Sequence, residues 1–190
     1  MAPTPFPWLD ALIILALVAI NGVFAMSELA IVSSRPARLQ AMAEGGSKGA
    51  AAALRLSRDP GKFLSTVQIG ITLIGIIAGA YSGASLGGPT GERLALLGID
   101  PEWAMTIGFG LVIGATTYAS LVIGELVPKQ FALIAPEKIA SLMARPMECM
   151  AWISAPFVWL LDKSSALIFR LLGLNRDNRD ALTAEELKVV

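Results

Sequence analysis

Residues 63–86 read FLSTVQIGITLIGIIAGAYSGASL, a stretch without a single charged side chain. A helix needs about 20 apolar residues to cross the hydrocarbon core of a bilayer, so this stretch is long enough to span one. Segments of the same character lie on either side of it, at 8–32 and 103–123. The first contains only the charges Asp10 and Glu28, and the other contains none. The sequence therefore predicts an all-α membrane protein with three transmembrane helices in a lipid bilayer.

The composition favours the same class. Of the 190 residues, 55% are hydrophobic and 16% are charged, whereas a soluble domain carries about 25% charged residues. The formal net charge is zero, so no nucleic-acid partner is expected. Histidine, the commonest acid–base catalyst and transition-metal ligand, is absent from the sequence. Since no paired aspartates or Ser–Lys arrangement replace it, we expect no enzyme activity.

Small residues recur at helical spacing in the second segment. Gly75, Gly79 and Gly83 are four residues apart and form a flat strip on one helix face. Such a strip lets another helix approach closely. We expect it to pack within the helix bundle, and a contact between two copies of the chain is the alternative.

The distribution of positive charge predicts the orientation. Residues 33–62 carry six Lys and Arg residues, whereas the short turn-rich loop predicted at 87–102 carries one. Cytoplasmic loops of membrane proteins collect Lys and Arg. We therefore expect a protein of the cell (inner) membrane with its N-terminus outside and its C-terminus in the cytoplasm. The first positive charge is Arg35, so we expect 8–32 to remain as an anchor and not to be cleaved as a signal.

The first cytoplasmic loop is predicted to form a helical hairpin at the membrane face. Gly45-Gly46 breaks the loop into two helices, and Ser47 can cap the second of them. We place these juxtamembrane helices at about 35–58. Their positive charges are expected to form a solvated surface that faces lipid headgroups.

Residues 131–172 are expected to form further juxtamembrane helices. Trp152 and Trp159 favour a position in the cytoplasmic interface. The alternative is a fourth span over 149–161, which would place the C-terminus outside. We expect the stretch to be broken into pieces by three prolines, Pro136, Pro146 and Pro156.

These assignments give a transmembrane domain over residues 1–174. The remaining residues, 175–190, are polar, and Thr183 and Glu186 within them have the spacing of a capping box that begins another helix. We assign 175–190 to the start of a cytosolic region that is cut short.

Polar side chains inside the spans are the candidates for function. A charge at membrane depth costs roughly 2.5 kcal/mol or more, so it usually faces a partner or an aqueous cavity. Asn21 and Glu28 are seven residues apart and share one face of the first helix. Gln68 and Thr72 are four apart and share one face of the second. Ser27 lies about 120° round the helix from Asn21, and it reaches the same cavity only if a neighbouring span wraps that side.

A second group of oxygens follows the third segment. Pro128 lacks the N–H that would bond the carbonyl of Gly124, four residues earlier. This predicts an unpaired carbonyl beside the Glu125 carboxylate. Carboxylate, amide, hydroxyl and carbonyl oxygens are hard ligands that suit Mg²⁺, Ca²⁺ or Na⁺. One or two carboxylates with several neutral oxygens match Mg²⁺ better than a calcium cage, and Na⁺ stays open by ligand type.

The amide and hydroxyl groups have a structural alternative. Asn21 and Gln68 can hold helices together without binding an ion. A hydroxyl in a span often bonds its own helix backbone. This alternative applies to serines and threonines of all three spans, namely Ser27, Ser65, Thr66, Thr116 and Thr117.

The carboxylates have a structural alternative as well. Glu28 can pair with Lys129 or Arg35 near the cytoplasmic face. Glu125 can pair with Lys129, which follows it by one helical turn. In either case the carboxylate would serve an ion pair within the protein instead of an ion.

Three motifs occur in order along the chain. Residues 21–28 read NGVFAMSE, residues 68–72 read QIGIT, and residues 124–129 read GELVPK. Together they resemble the transmembrane domain of the CorC/cyclin M (CNNM) proteins over about residues 8–174. The order of the motifs makes the resemblance specific.

The resemblance implies a homodimer that transports Mg²⁺, generally by export, with Na⁺ entry as a candidate driving force. It implies that a cytosolic pair of nucleotide-binding CBS domains follows in the full-length protein, and these are absent from this sequence. A membrane Mg²⁺ sensor that regulates other transporters without moving ions is the alternative function. The resemblance implies that polar residues matching the motifs bind the ion, and we add the Gly124 carbonyl to them. The expected ion-binding set is Asn21, Ser27, Gln68, Thr72, Gly124 and Glu125.

Overall fold

The computed structural model describes residues 4–58 and 60–171, apart from the side chains of Lys62 and Asp162. The described residues contain helices and no strand, which confirms the predicted all-α class. The predicted capping box at 183–186 lies outside them. In chain order the helices are α1 (Trp8–Ser33), α2 (Pro36–Glu44), α3 (Lys48–Arg58), α4 (Pro60–Leu96), α5 (Pro101–Leu121), a π-helical turn (Val122–Leu126), α6 (Val127–Ile134) and α7 (Pro136–Leu171).

Three segments among the described residues are long and apolar enough to cross a membrane. They are Trp8–Ser33, Phe63–Leu96 and Pro101–Ile134. Large apolar side chains such as Ile76 and Leu111 are exposed on their surfaces. A wide exposed apolar surface is what a lipid environment requires. The prediction of three spans is therefore confirmed.

The second span is longer than predicted. The loop expected from residue 87 is absent, because α4 continues through Gly87 and Pro89 to Leu96. Tertiary packing explains the difference, since a β-carbon placed on Gly87 would lie 3.0 Å from the Phe109 ring and one on Gly91 2.7 Å from the Met105 sulfur. Contact with α5 thus stabilises residues that have poor helix propensity of their own.

Only part of the predicted glycine strip packs against another helix. Gly83 packs within the bundle as predicted, because its β-carbon would lie 2.8 Å from the Phe109 ring. Gly75 and Gly79 do not, since a β-carbon on either would meet no atom within 4 Å. The surface that packs α4 onto α5 is therefore shifted along the helix to Gly83, Gly87 and Gly91.

The α2–α3 hairpin agrees with its prediction. Gly46 adopts a positive φ of 92° between the two helices, a conformation that favours glycine. The Ala50 N–H donates to Ser47 Oγ at 3.2 Å, which confirms the predicted cap. Close approach of α3 to α7 leaves no room for a side chain at Gly49, because its β-carbon would collide with the Ser141 carbonyl.

The chain divides into two compact units, Met1–Ala151 and Trp152–Val190. In the first unit, the start of α7 contributes Ala140, Ala144 and Met147 to a buried core that also contains alanines of α3. Buried residues on both sides of Pro146 hold the helix together there, so the predicted break is wrong.

The described part of the second unit continues α7 from residue 152 to 171. Pro156 lies within it and does not interrupt the helix either. Its apolar side chains Trp152 and Trp159 are exposed. No part of α7 is among the segments of the described chain that are apolar enough to span a membrane. Residues 131–134 belong to the third candidate span, and the position of 135–172 in the cytoplasmic interface stays a prediction.

The residues before α1 are attached to the end of α4. The Thr4 backbone N–H and hydroxyl both donate to Glu92 Oε2, at 2.8 and 2.7 Å. Arg93 donates to the Thr4 carbonyl at 3.0 Å. Within the first turn of α1, Asp10 Oδ1 accepts a hydrogen bond from the Tyr81 hydroxyl at 2.6 Å. These bonds fix the start of α1 against α4.

A buried carboxylate joins the start of α7 to the α1–α2 connection. Glu137 is 8% exposed, accepts from the Arg35 backbone N–H at 3.4 Å and lies 3.7 Å from the Arg38 guanidinium. Hydrogen bonding from its own backbone N–H at the helix start lowers the pKa of Glu137, and the Arg35 N–H and the nearby arginine charges lower it further.

We expect Glu137→Gln to lower the free energy of unfolding by about 1–2 kcal/mol at neutral pH, since it removes the charged acceptor of the Arg35 N–H and the ion-pair partner of Arg38. A carboxyl whose pKa is lower in the folded than in the unfolded state stabilises the fold. This contribution is complete at pH values above the pKa of the unfolded state and is lost as the pH falls through the lower pKa of the folded state. Thermal unfolding in detergent between neutral and acid pH measures both effects. The acid loss should be smaller in the variant, and an unchanged profile would contradict the assignment. The exposed Glu44→Gln is the matched control.

Candidate functional site

A cavity of about 190 Å³ lies between α1, α4, α5 and the π-helical turn. This is roughly the volume of six water molecules at about 30 Å³ each. The wall combines apolar surface with a carboxylate, an amide and three hydroxyls. Its lining residues are Asn21, Ile71, Gly75, Gly79, Thr116, Thr117, Ser120, Leu121 and Glu125.

The π-helical turn sits where the sequence predicts a disturbed helix. The Val127 N–H donates to the Val122 carbonyl, five residues back, which widens the helix just before Pro128. The wide turn accommodates a proline that cannot donate to Gly124. The Gly124 carbonyl, predicted to lack its helix partner, accepts a hydrogen bond from Asn21 Nδ2 at 3.2 Å. This bond joins α1 to the π turn at the cavity wall.

Glycines make this approach possible. A β-carbon on Gly22 would lie 3.0 Å from the Pro128 ring, and one on Gly124 would lie 3.1 Å from the Val18 carbonyl. Larger residues at either position would push α1 away from the turn. Gly22 and Gly124 thus hold the Asn21 amide and the Gly124 carbonyl within hydrogen-bond distance.

Asn21 retains an unused acceptor. The residue is 5% exposed, and its Oδ1 is buried without a hydrogen-bond partner among the described residues. A buried acceptor without a partner costs about 1–3 kcal/mol. An ion or a water molecule bound beside Asn21 would recover this energy.

Glu125 brings charge to the cavity and is already paired. The Lys129 ammonium lies 2.7 Å from Glu125 Oε1 and 3.9 Å from Glu28 Oε2 on α1. All three side chains are partly buried. The pairing with Lys129 that the sequence left open for both carboxylates is therefore observed. Two carboxylates and one ammonium leave this cluster with one net negative charge.

Two members of the expected ion-binding set do not reach the cavity. Gln68 and Thr72 are exposed on the surface of α4. The cavity residues of this helix are Ile71, Gly75 and Gly79. Gln68 and Thr72 are each seven residues from a lining glycine and share its helix face, but neither is among the lining residues. The structure thus brings Asn21, Gly124 and Glu125 together and leaves the α4 pair outside.

Ser27 bonds the backbone of its own helix, which is the structural alternative given for it above. It is fully buried, and its hydroxyl donates to the Val23 carbonyl of its own helix at 2.6 Å. It does not line the cavity in this arrangement.

The hydroxyls of α5 were not in the expected set. Thr116, Thr117 and Ser120 line the cavity, although the sequence favoured backbone bonding for threonines of this span. A signal was present, since Thr116 and Ser120 are four residues apart and share one helix face. These hydroxyls add neutral oxygens to the expected site and add no carboxylate.

The charge of the site limits the cations that fit. In the part of the chain that the structure describes, no three His, Cys, Asp or Glu side chains form a group that could hold a metal. A cation in the cavity would be held by one or two carboxylates and several neutral oxygens. Mg²⁺ and Na⁺ are bound by such sets, whereas zinc sites use histidine and cysteine.

Comparison with known proteins gives a consistent family. The family model described as the cyclin M transmembrane N-terminal domain (CNNM) matches residues 12–190. The chain is 43% identical to the UPF0053 protein sll0260 of Synechocystis sp. (strain ATCC 27184 / PCC 6803 / Kazusa), over 96% of this chain and 41% of that protein. It is 32% identical to the UPF0053 protein YhdT of Bacillus subtilis (strain 168), over 96% of this chain and 40% of that protein.

A third relative carries a functional name. The polyamine export protein of Escherichia coli (strain K12) is 29% identical over 94% of this chain and 40% of that protein. The chain spans about two fifths of the length of these relatives. The family match covers nearly all of the sequence and includes all three motifs. The resemblance is therefore confirmed, and the chain belongs to the cyclin M transmembrane N-terminal domain family.

Proposed function

We propose that this chain is the ion-translocating domain of a Mg²⁺ transporter that exports Mg²⁺, with Na⁺ entry as its driving force. The observation that carries the proposal is the cavity between three spans, where Glu125 meets neutral oxygens of Asn21, Thr117 and Ser120. A charge and several neutral oxygens at this depth are costly unless they serve a partner or an ion.

The cavity suits a small hydrated cation. Its volume of about 190 Å³ is below the roughly 300–1,000 Å³ of pockets for drug-sized organic ligands. Mg²⁺ sheds water reluctantly and usually keeps several water ligands. Glu125 would neutralise part of its charge, while the Asn21 amide and the α5 hydroxyls would replace part of its water.

We further propose that the protein works as a homodimer in the cell membrane, with the N-terminus outside. Gln68 and Thr72 are polar, lie on a predicted span and are exposed on a single chain. Polar groups on a transmembrane surface favour contact with another helix over contact with lipid. A second copy would cover them, and the CBS domains implied by the resemblance would follow on the cytoplasmic side.

The test is Mg²⁺ flux in proteoliposomes that contain the purified chain and a trapped Mg²⁺ indicator dye. We expect Mg²⁺ movement that needs the protein and that an opposed Na⁺ gradient accelerates. Mg²⁺ flux that does not respond to the Na⁺ gradient would contradict the proposed coupling to Na⁺ entry. Mg²⁺ binding in solution without flux would support the alternative, a membrane Mg²⁺ sensor that regulates other transporters.

A second cargo is suggested by the relative from Escherichia coli, which is named for polyamine export. A polyamine is also a multivalent cation, and Glu125 and Glu28 could each receive one ammonium group. The small cavity, with a single carboxylate among its described lining residues, favours Mg²⁺. Flux of radiolabelled spermidine in the same vesicles decides between them, since spermidine flux without Mg²⁺ flux would replace our proposal.

A further inference from the structure

We propose that Lys129 is an internal cation that selects the charge of the transported ion. Its ammonium occupies the carboxylates of Glu125 and Glu28 in the empty site and withdraws when a divalent cation enters. The inference rests on the proposed function, because it requires that the cavity bind a cation. It assigns to Lys129 a role in selectivity, where an ion pair alone would contribute only to stability.

The first support is position. Lys129 Nζ lies 2.7 Å from Glu125 Oε1, and Glu125 lines the cavity. The same ammonium lies 3.9 Å from Glu28 Oε2, on the helix that also carries Asn21. The lysine therefore occupies a place beside the cavity that a bound cation would otherwise share.

The second support is freedom to move. The Lys129 side chain is 31% exposed, so it is not enclosed by the protein. A lysine has a flexible four-carbon stem and a compact charge with no fixed geometry. Rotation of the stem can therefore remove the ammonium from both carboxylates without unfolding the helix.

The third support is charge balance. With the ammonium in place, the three groups carry one net negative charge, which a monovalent cation neutralises. With the ammonium withdrawn, the two carboxylates carry two negative charges, which a divalent cation neutralises. Uncompensated charge is costly in a partly buried site beside a membrane. The site thus suits Na⁺ when Lys129 is paired with the carboxylates, and it suits Mg²⁺ when Lys129 is released.

The variant test compares Lys129→Met with Lys129→Arg, and uses the exposed Lys138→Met as the control. Calorimetric titration of Mg²⁺ into the purified chain, with and without Na⁺, gives the affinity of each. We expect Lys129→Met to bind Mg²⁺ about tenfold more tightly and Na⁺ to compete less well against it, because no internal cation needs displacement and the attraction gained is twice as large for a divalent ion. Lys129→Arg and Lys138→Met should stay within about twofold of the wild type.

The outcomes separate the inference from the proposed function. Wild-type affinity in a folded Lys129→Met protein would overturn the inference while the Mg²⁺ site stands. An absence of Mg²⁺ binding in the wild type would overturn the proposed function, and the inference with it.

A measurement on the unmodified chain avoids any effect of a variant on folding. Amine-reactive labelling followed by mass spectrometry reports how accessible Lys129 is, with Lys138 as the internal reference. We expect saturating Mg²⁺ to increase Lys129 labelling severalfold, and Na⁺ at the same ionic strength to leave it unchanged. Equal or reduced Lys129 labelling at saturating Mg²⁺ would overturn the inference.

Discussion

Glu125→Gln is expected to abolish Mg²⁺ flux, with a loss of about 100-fold or more. Glutamine keeps the size of the side chain and removes the only carboxylate among the described residues that line the cavity. A favourable contact between a carboxylate and a divalent cation in a partly buried site is worth several kcal/mol, and about 2.7 kcal/mol already corresponds to a factor of 100. Initial rates of dye-reported flux in proteoliposomes measure the effect.

The Glu125→Gln variant should lose transport without losing stability. Lys129 keeps Glu28 as a partner in the variant, and a partly exposed ion pair is worth only about 0–1 kcal/mol. The variant should therefore unfold near the temperature of the wild type. Glu102→Gln, an exposed glutamate in the first turn of α5, is the matched control and should transport normally. Glu125→Gln flux within twofold of the wild type would remove Glu125 from the proposed site.

Gly108→Ala is expected to cost about 2–3 kcal/mol of stability, near the upper end of the cost of overpacking. A β-carbon at Gly108 would lie 2.5 Å from the Gly91 amide nitrogen and 2.7 Å from its Cα. These atoms are backbone and cannot rotate away, so α5 would have to move off α4. The helices touch most closely here because both contribute glycine, as small residues allow in membrane bundles.

Gly110→Ala provides the control for this prediction. Gly110 lies on the same helix, and its β-carbon would meet no atom within 4 Å. Alanine there should be neutral or slightly stabilising, because it has the better helix propensity. Thermal unfolding followed by fluorescence-detected gel filtration compares the two. Equal melting temperatures for both variants would mean that the α4–α5 contact is looser than the structure indicates.

Features that depend on local chemistry were predictable from the sequence. The absence of charge over 63–86 predicts a membrane span whatever the arrangement of the other helices. The missing N–H of Pro128 disturbs the helix wherever that helix lies, and a π-helical turn is found directly before it. The Gly46 break and the Ser47 cap likewise involve only neighbouring residues.

Features that depend on distant contacts were not predictable. The extension of α4 to Leu96 depends on α5, and the continuity of α7 through Pro146 coincides with a buried core shared with α3. In both places local propensity favoured a break and packing outweighed it. The same limit applies to Gly75 and Gly79, whose spacing predicted a packing strip although they line a cavity.

The sequence by itself determined that this protein has three membrane spans, belongs to the cyclin M family and carries polar oxygen atoms near Glu125. These follow from composition, from the order of three motifs and from the chemistry of single residues. Only the tertiary structure decided which oxygens share a cavity, because a helix face is directed by the neighbours that cover it. Gln68 and Thr72 lie outside the cavity although each is seven residues from a lining glycine and shares its helix face, while Thr117 and Ser120 of α5 complete the cavity wall.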